Sequence, residues 1–236
     1  MNSNEKRLVE LDNRIENLTG TKIERMLEIL KVAEYVNDKN YKELTETISN
    51  YKGNFSLWNL DKMRNLGISH REIIRLFHNY LSSLSSLISS ARVFKKHLKN
   101  EEFSKEYDSK MKSMKINVFH RFILDIRNYS QHYGPPPISL LFFVRKSGKN
   151  KFDMRLGIVI DREFLLSWEK LTSVSKEFVK KQGDDIDMEI INDHQKEIKK
   201  NFLWLHTRIN ELYAKDIEEL RNLELQIIEI EKILKI

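Results

Sequence analysis

Apolar residues recur every three or four positions along most of the chain, and glycines or prolines interrupt the pattern at only a few places. This spacing puts apolar side chains on one face of an α-helix, so it predicts a mainly helical protein. The pattern starts with Leu8, Leu11, Ile15 and Leu18. A second helix is expected after Gly20, because Thr21 and Glu24 have the spacing of a capping box. These two helices are expected to form a hairpin.

The helical pattern is broken between residues 37 and 67, which predicts one or two short helices joined by loops. A short apolar group in this region is expected to anchor it: Phe55, Leu57, Trp58 and Leu60. Ser69 is then placed to cap a long helix that ends near Asn100. One face of this helix is rich in serine, at Ser82, Ser83, Ser85, Ser86, Ser89 and Ser90. Serine has a low helix propensity, so this face is expected to let a second backbone approach closely, either from the next long helix or from a second copy.

After residue 138 the apolar pattern changes from a helical period to strict alternation, which predicts a β-hairpin with its turn at 147–150. Asp161 is placed to cap a helix that runs to about Lys181. The segment 186–236 has neither glycine nor proline, and its apolar stripe predicts one long helix, or two helices with a phase slip at Tyr213. That stripe requires a partner, either the N-terminal helix or another subunit.

These patterns predict a mainly α fold with one β-hairpin insertion and a long C-terminal amphipathic helix. The expected parts are an N-terminal helical hairpin with short helices over 1–67, a helical core over 68–137, the β-hairpin over 138–161, and C-terminal helices that pack on the core over 162–236.

Composition narrows the class of protein. A chain of 236 residues, with 40% hydrophobic and 32% charged residues, is typical of a globular protein with a normal core. The absence of cysteine excludes disulfides and thiolate chemistry. No apolar run reaches the roughly 20 residues that span a bilayer, so a cytoplasmic protein without a membrane partner is expected. The net charge of +6 favours polyanionic partners, but it also fits an ordinary charged surface.

The densest group of chemically useful side chains lies between Ile126 and Tyr133, directly before Gly134 and the three prolines of the chain. Apolar residues upstream predict an amphipathic helix that runs into this segment and ends at Gly134 and the prolines. Arg127 and His132 would lie about 140° and 7.5 Å apart on that helix, so they flank one face. Asn128 and His132 are four residues apart and share a face.

The segment Arg127-Asn128-Tyr129-Ser130-Gln131-His132 resembles the Arg-Asn-x-x-x-His signature of the HEPN superfamily, whose mostly helical domains include many metal-independent ribonucleases. The resemblance covers residues 69–137, and the rest of the chain only by architecture. It implies an HEPN-like helical bundle that forms a homodimer, with the Arg and His of both chains at one RNA-binding cleft. It assigns Arg127, Asn128 and His132 as catalytic residues and implies neither a metal nor a cofactor.

Cleavage of RNA without a metal requires a base, an acid and positive charge near the phosphate. Imidazole serves as base or acid near neutral pH, and guanidinium binds two phosphate oxygens. The resemblance therefore implies that His132 is the general base or acid, that Arg127 binds the phosphate and that Asn128 orients the imidazole or the substrate. The products would carry 2′,3′-cyclic phosphate and 5′-hydroxyl ends.

Other side chains near the motif are candidates for RNA binding: Tyr129, Tyr133, Arg121, His120, Lys149 and Lys151. Each has a simpler alternative, because the tyrosines could pack as a hinge, His120 could pack in the core and the basic hairpin tip could be merely solvated. For the motif itself, the alternative is that Arg127 pairs with an acid such as Asp125, while His132 caps the helix C-terminus.

Two functions stay open from the sequence. The first is an HEPN-type endoribonuclease, acting as a toxin or antiviral effector in a prokaryote, with an antitoxin or regulatory protein as a further partner. The second is a non-catalytic helical dimer that serves as a scaffold, regulator or RNA-binding module.

Overall fold

The computed structural model describes residues 3–53, 63–116, 118–146 and 152–234. The mainly α fold is confirmed, since these ranges contain nine helices and three strands. In chain order the elements are α1 (Ser3–Asn17), α2 (Thr19–Gly53), α3 (Met63–Leu98), α4 (Glu101–Ile116), α5 (Val118–His132), β1 (Ile138–Lys146), β2 (Phe152–Ile160), α6 (Arg162–Ser167), α7 (Ser173–Lys181), β3 (Ile186–Asp187), α8 (Ile190–Leu212) and α9 (Ala214–Leu234).

Helix α3 forms the middle of the core. Its buried side chains recur at helical spacing and include Ile73, Phe77, Tyr80, Leu84, Leu87, Ala91 and Phe94. Helix α2 packs along α3, while α4, α5 and β1 contact α3 at other points on its surface. The motif helix α5 therefore lies directly against the central helix.

Helix α2 continues without a break to Gly53, so the prediction of short helices is wrong for residues 37–53. The cause is a buried polar position: Asn37 is only 1% exposed, and it donates to Ser83 Oγ at 3.2 Å. This amide interrupts the apolar pattern, yet it has the polar contact that a buried amide requires. The expected anchoring group at 55–60 lies outside the described residues.

The predicted caps at two helix starts are also wrong. Helix α3 begins at Met63, which places Ser69 inside the helix rather than at its N-cap. Thr21 similarly lies inside α2, and its hydroxyl donates to the carbonyl of Ile15 at 2.5 Å.

The predicted β-hairpin is confirmed, with β1 and β2 antiparallel and Ile138 opposite Ile160. A third strand, β3, pairs with β2, and it is too short to show alternation in the sequence. The Asp161 N–H donates to the carbonyl of Pro137 at 2.9 Å. This bond holds the two ends of the hairpin together shortly after the chain leaves α5. The turn at 147–151 lies outside the described residues.

Asp161 caps α6 as expected, since its carboxylate accepts from the Phe164 N–H at 2.8 Å. The single helix predicted to Lys181 is wrong, because the chain turns between Trp168 and Thr172, and Thr172 then caps α7.

The C-terminal segment forms two helices that meet at Tyr213, the position of the predicted phase slip. The partner of its apolar stripe lies within the chain. Helix α9 packs on α1 through a cluster centred on Leu11, Leu223 and Ile230, and α9 also contacts α2.

None of the described helices combines the length and the apolar character that crossing a lipid bilayer requires.

Candidate functional site

The motif lies at the C-terminal end of α5, where the helix leaves the core. The backbone N–H groups of Tyr133 and Gly134 both donate to the carbonyl of Tyr129, which ends the helix before the prolines. The side of α5 that includes Ile126 and Ser130 is buried, whereas Gln131 and His132 are exposed. The motif therefore combines a core-facing side and a solvent-facing side within two helical turns.

Arg127 is held at the contact between α3 and α5. Its Nη2 donates to Ser85 Oγ at 2.7 Å, and its Nη1 donates to Asn128 Oδ1 at 3.0 Å. The Nε atom is buried and has no hydrogen-bond partner among the described residues. The alternative in which Arg127 pairs with Asp125 is wrong. The guanidinium is thus fixed in place by two hydrogen bonds, and its buried Nε makes none.

His132 stands apart from these contacts. Its side chain is exposed, and no hydrogen bond or ion pair within the described part of the chain involves its imidazole. The structure joins Arg127 to Asn128 but shows no direct contact between Arg127 and His132. An exposed imidazole at this position is open to a ligand.

A second imidazole reaches the motif from α3. His78 Nδ1 lies 2.5 Å from Ser130 Oγ, and this hydroxyl belongs to the motif segment. Residues 78 and 85 are two helical turns apart, so His78 and Ser85 present one face of α3 to α5. The sequence pattern does not by itself bring His78 to the motif, because this contact requires α3 and α5 to be neighbours, and it indicates Ser85 only as one member of the serine-rich face.

An aromatic cluster lies behind the motif and consists of Tyr129, Tyr133, Phe164 and Trp168. The two tyrosine rings stack with centroids 6.0 Å apart, and Trp168 lies edge-on to both. Tyr133 is 50% exposed. Lys170 donates to the Tyr133 hydroxyl, and its ammonium lies 4.7 Å from the centre of that ring. Phe164, Trp168 and Lys170 are far from the motif in sequence, which is why the pattern did not reveal them.

Asp125 connects α5 to α7. The carboxylate is 2% exposed and accepts hydrogen bonds from the Thr172 hydroxyl at 2.5 Å and the Ser175 hydroxyl at 2.7 Å. The Arg121 Nε atom lies 3.5 Å from the same carboxylate. Arg121 is half-exposed, so the prediction that it also contacts RNA stays open. The side chains of Lys149 and Lys151 lie outside the described residues.

His120 packs in the core, which was the alternative to RNA binding. It is 7% exposed, and its Nδ1 lies 3.0 Å from His194 Nε2, with the two rings stacked. His194 Nδ1 in turn contacts the Tyr80 hydroxyl at 3.1 Å, and Tyr80 donates to Gln195 Oε1 at 3.2 Å. These bonds are all satisfied when His194 is neutral and carries its proton on Nδ1.

This buried chain predicts a pH-dependent stability. Burial, with a smaller effect from His120, lowers the pKa of His194 from 6.5 to about 3. Between these values the unfolded chain binds a proton that the folded chain does not, so stability is full above pH 6.5 and falls as the pH drops. From this residue alone, we expect the free energy of unfolding to be about 2 kcal/mol lower at pH 5 than at pH 7.

Urea titrations at the two pH values measure this difference. His194→Gln should reduce the change between pH 7 and pH 5 by about this amount. An equal change in the wild type and the variant would contradict the assignment to His194.

Among the described side chains, no group of three or more His, Asp or Glu residues is arranged to hold a metal ion.

No protein-family model, no curated protein and no solved structure matches this chain. The motif and the side chains around it are therefore the basis for a function.

Proposed function

We propose that the protein is a metal-independent endoribonuclease of the HEPN type, with Arg127, Asn128 and His132 as its catalytic residues. One observation carries the proposal. The exposed imidazole of His132 and the fixed, half-buried guanidinium of Arg127 both belong to the C-terminal end of α5. These are the groups that phosphate-ester cleavage through the ribose 2′-hydroxyl requires.

In the proposed reaction the 2′-oxygen attacks the adjacent phosphorus and the bond to the 5′-oxygen breaks. His132 removes the 2′-hydroxyl proton or protonates the departing 5′-oxygen, and Arg127 binds the phosphate oxygens as their negative charge grows. The hydrogen bond from Arg127 leaves the NH₂ group of Asn128 available to orient the substrate. Only RNA provides the nucleophile.

Two neighbouring features support this reaction. Two proton transfers are needed, and His78 supplies a second imidazole that is tied to the motif through Ser130. The aromatic cluster offers the half-exposed Tyr133 ring with the Lys170 ammonium beside it. An exposed aromatic ring next to a cation suits an unpaired RNA base and its phosphate.

We also propose an isologous homodimer. Arg127 and His132 are about 140° apart on one helix, whereas two copies of α5 related by a two-fold axis can direct an Arg and a His at one phosphate. The C-terminal stripe does not support the dimer, because α1 and α2 cover it. The proposal therefore rests on the motif end of α5. Light scattering at micromolar concentration should give twice the mass of one chain, and a monomer would remove the basis for a shared cleft.

A scaffold or regulatory dimer is the competing function. It is favoured by the two hydrogen bonds of Arg127, since both partners, Ser85 and Asn128, belong to the same chain. In that case Arg127 would only fasten α5 to α3, and the protein would bind RNA without cutting it or would not bind RNA.

The biological setting follows from the resemblance alone. An enzyme of this type would act on cytoplasmic RNA as a toxin or antiviral effector, and an antitoxin or regulatory protein would control it.

Product chemistry tests the proposal. Purified protein incubated with mixed RNA in EDTA should release fragments with 2′,3′-cyclic phosphate and 5′-hydroxyl ends, and it should spare DNA of the same sequence. Fragments with 5′-phosphate ends, or cleavage that EDTA abolishes, would contradict the assigned chemistry.

A further inference from the structure

A cavity of about 430 Å³ lies between the C-terminal half of α3, helix α4 and the first half of α5. Its volume falls within the range of small-molecule pockets in proteins. His120 and Leu124 of α5 contribute to its wall. These residues precede Arg127 by two turns and one turn, so the cavity lies on the N-terminal side of the motif.

One wall of the cavity is basic. Four cationic side chains line it: Arg92, Lys95 and Lys96 of α3, and Lys99, which directly follows α3. Lys95 is neutralised, because its ammonium lies 2.6 Å from Asp108 Oδ2. Within the described part of the chain, no ion pair involves the other three cations. Arg92 and Lys96 are four residues apart on one side of α3, and Lys99 follows the end of this helix. The wall therefore presents positive charge that its own surroundings do not balance.

Tyr107 of α4 adds a buried polar atom to the cavity wall. The residue is 2% exposed, and its hydroxyl has no hydrogen-bond partner among the described residues. Burial raises the pKa of Tyr107 to about 12, so the hydroxyl keeps its proton at neutral pH. The hydroxyl is enclosed by protein atoms, so a ligand in the cavity would contact other atoms of the Tyr107 side chain.

The rest of the lining is largely apolar and includes Ile88, Ala91, Met111, Leu124 and Phe202. A free inorganic anion would use only the basic wall. A ligand that fills the whole cavity needs an anionic group on one side and an apolar body on the other.

We propose that this cavity binds a small organic phosphate, with the phosphate against Arg92, Lys96 and Lys99 and an apolar ring against Leu124 and Ile88. Guanidinium and ammonium groups form strong charge-assisted hydrogen bonds with phosphate oxygens. This function is additional to RNA cleavage and does not depend on it. The same chemistry occurs in a free phosphorylated metabolite and at the 5′-phosphate end of an RNA strand.

Calorimetric titration with phenyl phosphate tests the site, with inorganic phosphate as the probe that lacks the ring. We expect phenyl phosphate to bind more tightly than inorganic phosphate. The double variant Arg92→Gln/Lys96→Gln should lose more than roughly tenfold in affinity, because it removes two charge-assisted contacts.

The matched control is Lys105→Gln/Lys112→Gln, which removes the same charge from exposed positions of α4 away from the cavity. It should bind phenyl phosphate like the wild type. Equal losses in the two double variants would overturn the proposal, as would the absence of phenyl phosphate binding. Poly-glutamate that competes as well as phenyl phosphate would also overturn it, because the site would then recognise charge alone.

Competition with phenyl phosphate shows whether the phosphate that the cavity binds belongs to an RNA end or to a free metabolite. A short 2′-O-methyl RNA, which cannot be cleaved through the 2′-oxygen, is added with either a 5′-phosphate or a 5′-hydroxyl. Displacement of phenyl phosphate by the phosphorylated strand alone assigns the site to RNA ends, and no displacement by either strand assigns it to free metabolites. Since binding is read without cleavage, a protein that does not cut RNA would still test this site.

Discussion

Replacing Arg127 with alanine is expected to lower the rate of RNA cleavage by roughly 10²–10³-fold while the protein stays folded, because the developing charge on the phosphate loses its fixed donor. Arg127 is half-buried, and its hydrogen bonds go to Ser85 and Asn128, so the substitution removes little core volume. Single-turnover cleavage of a labelled RNA measures the rate, and circular dichroism checks the fold.

Two further variants distinguish a catalytic role of Arg127 from a structural role in holding α5 against α3. Ser85→Ala removes the α3 partner of Arg127 but keeps the guanidinium, so it should reduce cleavage far less than Arg127→Ala. Arg127→Lys keeps the charge but loses the planar, two-pronged donor, so its rate should lie between those of wild type and Arg127→Ala. If Ser85→Ala and Arg127→Ala reduced stability equally and neither changed cleavage, Arg127 would only join the two helices.

Asp125→Ala is expected to destabilise the fold by roughly 3–5 kcal/mol, because it removes the shared acceptor of several buried donors. The Ser175 hydroxyl, which is fully buried, would lose its acceptor, and the Thr172 hydroxyl would keep only its 3.1 Å contact with Ser175 Oγ. The Thr172 N–H, which lies 3.2 Å from Asp125 Oδ2, would lose this acceptor as well. Urea unfolding at pH 7 measures the loss.

Asp125→Asn is the closest control, because it keeps the shape and one acceptor oxygen. It should lose less stability than Asp125→Ala. The exposed carboxylate of Glu169 provides a second control, and Glu169→Ala should change stability by less than about 0.5 kcal/mol. A loss below about 1 kcal/mol for Asp125→Ala would show that the contact with α7 does not hold α5 in place.

The helical fold could be predicted wherever the buried positions are apolar. Leu44, Ile48 and Tyr51 continue the buried side of α2, but the buried amide of Asn37 falls between them and the earlier apolar run. A polar residue at a core position looks like solvent exposure in the sequence. Only its contacts with Ser83 on α3 and Gln195 on α8 explain how it is buried.

The split of the helix after Asp161 was missed for a related reason. The apolar spacing continues through Trp168 and Leu171. The Leu171 side chain is part of the core, and the Trp168 ring packs against it. The turn between them depends on the Thr172 cap and its bond to Asp125, which is a contact across 47 residues. Periodicity within one segment carries no information about such a contact.

The residues of the candidate site also fall into those that one segment of sequence indicates and those that only contacts between segments indicate. Arg127, Asn128 and His132 were found because they lie in one short stretch of sequence. His78, Ser85 and Trp168 reach the motif only through packing of α3 and of the turn after α6 against α5. Their alignment with the motif is set by tertiary structure, so only a prediction of neighbouring helices would have indicated it.

Single-turnover cleavage of RNA in EDTA by the wild type, His132→Ala and Gln131→Ala measures whether the His132 imidazole takes part in cleavage. Gln131 is the matched control, because it is exposed and lies next to His132 on the motif helix. We expect cleavage by the wild type and Gln131→Ala at similar rates, and a rate roughly 10²–10⁴-fold lower for His132→Ala. A wild-type rate in His132→Ala, or a wild-type protein that does not cleave RNA, would contradict the account.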